Sequence, residues 1–124
     1  MQPFTVVVLQ SDVGVAQNLQ SSMQKHFNFI YLARNLEEAK VAIPKYRAQV
    51  VVLDLEMVPR SEVAWLRREF PAVSLVCTHR LADEEMWTDM VGVGASDLCF
   101  SADSQGILSA ALRTTRVASK SVAA

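Results

Sequence analysis

Val50-Val51-Val52-Leu53-Asp54-Leu55-Glu56-Met57 runs four aliphatic residues straight into a carboxylate. An unbroken Val/Leu run with no polar alternation is the pattern of a strand covered on both faces. Phe4–Leu9 and Val73–Cys77 have the same character, whereas Phe29–Ala33 is mixed and Asp97–Phe100 is short. Five short apolar runs therefore recur along the chain.

The intervals between them carry helical spacing. Val13, Ala16, Leu19, Met23 and Phe27 step by three or four. Leu36, Ala39, Ile43 and Tyr46 do so behind an Asn35 cap with Glu38 three residues on. Pro44 should end or distort that helix near its last turn. Val63, Leu66 and Phe70 mark a third helix, stopped by Pro71, and Met86, Met90 and Val91 a fourth, closed by Gly92 or Gly94. Ser104 can cap a fifth, with Ile107, Leu108, Ala111 and Leu112 inward. Strand and helix thus alternate five times, the signature of an α/β fold with a parallel sheet, helices on both faces and right-handed crossovers. One domain is expected over 1–116, with 117–124 a flexible tail or linker remnant.

Composition narrows the function. The 124 residues are 51% hydrophobic and 20% charged, with a net charge of −1. Lys and Arg are not clustered, against a nucleic-acid surface or a polybasic membrane contact. No stretch approaches the roughly 20 apolar residues of a membrane helix, and Phe4–Leu9 is too short for a signal segment. A cytoplasmic domain is expected, with Cys77 and Cys99 as buried reduced thiols.

In open α/β sheets, ligands gather outside the carboxyl ends of the strands, at the topological switch point. Those ends supply Gln10, Ser11 and Asp12; Asp54, Leu55 and Glu56; Thr78 and His79; and Ser101. Gly92–Asp97 holds two glycines of a dinucleotide loop, but it lacks the third and precedes a strand, so that reading is rejected.

Val50–Met57, the Leu75–His79 ending Leu-Val-Cys-Thr-His and the Gly94–Leu98 run Gly-Ala-Ser-Asp-Leu together resemble the receiver domains of bacterial response regulators, in order and in register from about Thr5 to Thr115. The resemblance implies a flavodoxin-like (βα)5 three-layer sandwich with strand order 2-1-3-4-5. It also implies a non-enzymatic two-component signalling module that takes a phosphoryl group from a histidine kinase onto one aspartate, with Mg²⁺ at the site. Asp54 matches the phospho-acceptor and Thr78 the phosphoryl-sensing hydroxyl. A downstream partner is implied on the face Asp83–Thr115.

Several positions depart from that pattern. Gln10 and Ser11 stand where the family has an acidic pair. Ser101 stands at its lysine, Ala102 at a frequent proline, Glu62 at a frequent glycine and Leu98 at the aromatic switch. Glu56 stands where a backbone carbonyl serves the metal. Asp12, one place beyond the acidic pair, is either a weak metal ligand beside Asp54 or the cap of the first helix. Mg²⁺ is therefore expected to bind weakly or not at all. A charge pair at about 4 Å is worth roughly 4 kcal/mol at an effective dielectric near 20, so such losses reach orders of magnitude in affinity. His79 is a loop histidine or a partial substitute for the missing lysine; Trp65 and Trp87 are packing residues or part of a partner surface. Two functions remain: a phospho-receiver with an impaired pocket, or a pseudo-receiver read without phosphorylation. A flavodoxin-like enzyme has no phosphate loop, nucleophile–base pair or metal cluster to support it.

Overall fold

The computed structural model describes residues 2–123, with side chains over 4–115. Elements alternate strictly: β1 (Gln2–Leu9), α1 (Val13–Met23), β2 (Phe27–Ala33), α2 (Leu36–Lys45), β3 (Val50–Asp54), α3 (Arg60–Glu69), β4 (Ser74–His79), α4 (Glu84–Gly92), β5 (Asp97–Phe100) and α5 (Ser104–Ala123). All strand pairs are parallel, in the order β2-β1-β3-β4-β5. Helix α5 runs on through the segment from 117 that the sequence reads as a tail.

The unbroken apolar strands are explained by two cores. Side chains alternate across a strand, so Val7, Leu9, Val51 and Leu53 face one side while Val6, Val8, Val50 and Val52 face the other. The first set packs against Ala39, Ala42 and Ile43 of α2, Val63 and Leu66 of α3, and Met90 of α4. The second packs against Leu19 and Met23 of α1 and Ile107, Leu108 and Ala111 of α5. A central strand buried on both faces has no place for a polar residue until it ends, and β3 ends on Asp54.

Local chemistry sets the helix ends. Asn35 accepts from the Glu38 amide at 2.8 Å, and Glu38 in turn accepts from the Arg34 amide at 3.0 Å. Pro44 lies in the last turn of α2, which stops after Lys45. Gly94, at φ +117°, turns the chain from α4 into β5. A Cβ there would come within 2.5 Å of Arg67 Cγ.

Four expectations are corrected. Phe27 opens β2 instead of extending the apolar face of α1, because the helix stops at Met23 and a turn intervenes. Val13, the first residue of α1, is exposed. Val91 lies on the solvent side of α4, where Met90 takes the inward position. The cap of α5 is Asp103, whose Oδ1 accepts from the Gly106 amide at 2.9 Å, and not Ser104. A carboxylate one residue earlier reaches the free N–H groups that Ser104, already inside the helix, cannot.

Candidate functional site

A cavity of about 550 Å³ opens at the carboxyl ends of β1, β3 and β5, lined by residues that include Gln10, Asp12, Asp54, Glu56, Arg80 and Ser101. Strand order decides this. With β1 and β4 flanking β3, the loops after β1 and β3 diverge and leave a crevice above Asp54.

Asp54 is almost fully buried, at 2% exposure, and is held by three donors. Its Oδ2 accepts from the Ser11 amide at 2.9 Å and the Ser11 hydroxyl at 2.6 Å. Its Oδ1 accepts from the Glu56 amide at 2.9 Å. These bonds take three of the carboxylate's roughly four lone-pair sites and leave one on Oδ1.

Thr78 is wholly buried and pairs with Asp54 across β3 and β4. Its hydroxyl accepts from the Gln10 side-chain amide at 2.9 Å, a contact reaching from the end of β1 over the end of β3. Gln10, Asp54 and Ser101 meet at the cavity, while Thr78 sits behind Gln10 and does not line it. Asp12 lines the cavity and also caps α1, its Oδ1 accepting from the Val15 amide at 3.2 Å.

His79 turns away. Its Nδ1 accepts from the Leu81 amide at 3.0 Å, committing the ring to the turn after β4. The cation at the cavity is instead Arg80, whose Nε donates to Glu56 Oε1 at 2.8 Å. Sequence reasoning passed over Arg80 because it follows the strand end by one residue; only the turn brings it back over the site. Ser101 is nine-tenths buried, and its hydroxyl has no partner among the described residues. Glu62 lies apart, at the start of α3, and pairs with Lys40 at 2.9 Å.

Both tryptophans have structural partners. Trp65 stacks under the Lys40 ammonium, 4.5 Å from the ring centroid, and packs on the core. Trp87 is exposed at 45% and donates to Asp97 Oδ1 at 2.9 Å, and the other oxygen of Asp97 pairs with Arg113. Cys77 and Cys99 are free thiols. Cys77 is buried, but Cys99 is only partly so, and the two belong to opposite cores.

No family model matches the sequence, and no curated protein does either. Solved structures match closely in shape. The N-terminal receiver domain of a two-component response regulator from Bacteroides fragilis superposes with a TM-score of 0.80 at 19% identity, over 92% of this chain and 98% of that one. A response regulator receiver domain protein from Methanospirillum hungatei reaches 0.83 at 10% identity, over 97% and 99%. The receiver domain of a Francisella response regulator gives 0.75 at 21%, over 92% and 98%. The chain has the receiver-domain fold.

Within the receiver fold, the resemblance calls for Mg²⁺ at this cavity, and the donor set is poor for it. Mg²⁺ needs one or two available carboxylates. Both oxygens of Asp54 already accept hydrogen bonds, Glu56 is tied to Arg80, and Gln10 offers an amide turned toward Thr78. Among the described residues no three of His, Cys, Asp or Glu are grouped to hold a metal ion. With Asp12 Oδ1 also engaged, at the cap of α1, the side chains as arranged are a poor fit for the cation.

Proposed function

We propose that this chain is a signal-transduction receiver domain, a non-enzymatic cytoplasmic module in which Asp54 is the phospho-acceptor of an impaired pocket. The observation that carries the reading is a buried carboxylate ending the central strand of a receiver fold, at the floor of an open cavity. The phosphoryl donor is a histidine kinase or a small acyl phosphate. Asp54 attacks phosphorus, and the leaving group departs with the electron pair of the broken bond, P–N from a phosphohistidine and P–O from an acyl phosphate. Thr78 would sense the product from behind Gln10. Mg²⁺ binds weakly or not at all, Asp12 and the hydrogen-bonded Asp54 being the carboxylates that would have to hold it.

The downstream partner engages the face Asp83–Thr115, on which Trp87, Val91 and Phe100 are exposed. Nucleic acid and membrane are not ligands of this domain. Among the described residues no helix is long and apolar enough to cross a membrane.

A second reading, a phosphorylation-independent binding module, is favoured by two specific contacts. The three donors on Asp54 blunt the nucleophile, and the Gln10 amide already anchors the oxygen of the Thr78 hydroxyl.

Intact-mass measurement after incubation with acetyl phosphate and Mg²⁺ separates the two. A slowly formed phosphoryl adduct, absent in Asp54→Asn, is the expected result. No adduct at any donor concentration overturns the acceptor reading and leaves the binding module. Micromolar Mg²⁺ affinity by calorimetry would count against the weak-metal part.

A further inference from the structure

The cavity is lined by three carboxylates, those of Asp12, Asp54 and Glu56, and by a single cationic side chain, that of Arg80. Phosphorylation replaces the single negative charge of the Asp54 carboxylate with roughly two on the phosphoryl oxygens, so the set gains about one negative charge. Phosphoryl transfer is dominated by positioning and by compensation of exactly that charge. Ser101, on the far wall, brings a hydroxyl and no charge.

We propose that Arg80 is the phosphoryl-facing cation of this cavity, with the buried Ser101 hydroxyl as its hydrogen-bonding counterpart. The inference rests on the reading of Asp54 as acceptor and deepens it. Arg80 occupies the first position after β4, 73% exposed along its side chain, so the guanidinium can change rotamer without disturbing the core. Its one side-chain hydrogen bond among the described residues is from Nε to Glu56, which leaves the two terminal nitrogens to donate. An exposed carboxylate pair of this kind is weak, and a guanidinium fork matches phosphoryl oxygens at least as well. As the Asp54 oxygen forms its bond to phosphorus and the donor's P–O bond breaks, Arg80 leaves Glu56 for the phosphoryl oxygens. The Ser101 hydroxyl donates to the same group. No proton is transferred between protein and donor, and the donor's carboxylate departs as the anion.

The rate of adduct formation from acetyl phosphate, read by intact mass, tests this with Arg80→Ala, Arg80→Lys, Glu56→Gln and the double variant Arg80→Ala/Glu56→Gln. Arg80→Ala should slow phosphorylation about tenfold, equivalent to ~1.4 kcal/mol. Arg80→Lys should keep most of the rate. Glu56→Gln should raise it a few-fold, and that gain should vanish in the double variant. A purely structural role for the Arg80–Glu56 pair would slow both single variants alike. An Arg80→Ala rate equal to that of the unaltered protein overturns the assignment while the acceptor reading stands. So does a gain from Glu56→Gln that survives the loss of Arg80. No adduct in the unaltered protein overturns both.

Discussion

Gln10 brings to the end of β1 an amide that can donate a hydrogen bond, as a carboxylate could not. Its Nε2 donates to the buried Thr78 hydroxyl at 2.9 Å, while that hydroxyl's other contact, to Leu53 O, is long at 3.5 Å. Thr78 is thus held with no phosphoryl group present. Since a modification shifts an equilibrium only by its different affinity for the two states, an oxygen already anchored by Gln10 would narrow the movement of Thr78 in the sensing role proposed for it. Removing one partner of a buried hydrogen bond strands the other, at about 1–3 kcal/mol. Gln10→Met and Thr78→Val should each destabilise by ~1–2 kcal/mol in urea melts, and the double variant by about 1 kcal/mol less than their sum. Thr78→Ser, which keeps the hydroxyl, should preserve the coupling. Strict additivity across the cycle would mean the bond contributes nothing.

The element that fixes the far side of the sheet is α3, through Arg67. Its Nε donates to Gly94 O at 2.7 Å, Nη1 to Pro71 O at 3.0 Å and Val73 O at 2.8 Å, and Nη2 to Ser96 Oγ at 3.2 Å. One half-buried guanidinium therefore ties the exit of α3 to the turn between α4 and β5. Desolvation by burial lowers its pKa below the ordinary arginine value. Those carbonyls belong to turns and have few other donors, so Arg67→Ala should cost ~2–3 kcal/mol. Arg67→Lys should recover less than half, since an ammonium cannot reproduce the planar fork. Chemical denaturation reads both. A loss under ~0.5 kcal/mol for Arg67→Ala would show that water replaces the guanidinium and the tie is incidental.

At the scale of the whole molecule, the doubly covered sheet buries a thiol where its ionised form is disfavoured. Desolvation pushes Cys77 from 9.0 up to about 12, against a small opposing pull from Arg67. Below the unfolded value of 9.0 both states keep the proton, and the stabilisation is fully present. As pH rises toward the folded value of about 12, the unfolded chain loses a proton that the native state retains, and stability falls by up to ~1.4 kcal/mol per pH unit. Partly buried Cys99, pushed by burial up to about 11, adds a weaker slope of the same sign. Comparing urea melts at pH 8 and pH 10, Cys77→Val should lose less stability than the unaltered protein. Equal losses would show that the alkaline sensitivity lies elsewhere.

The order of five strands and five helices was legible in the sequence because unbroken aliphatic runs and three-to-four-residue periodicity are local signals. Parallel pairing followed from strict alternation, and Asp54 declared itself as the only carboxylate ending a continuous Val/Leu run. The misread positions, Val13, Phe27, Val91 and Ser104, all lie at element ends, where periodicity fades and capping geometry decides. What no local pattern carries is the partner of a side chain. Gln10 and Thr78 are 68 residues apart in sequence and Ser11 and Asp54 are 43 apart, and only the β1-β3-β4 order brings each pair to hydrogen-bond distance. Arg80 reads as a loop arginine until the turn after β4 lays it over the cavity. Which residue stands at each strand end is written in the chain; which of them satisfy one another is decided by the sheet, because hydrogen bonds depend on distance in space and not along the backbone.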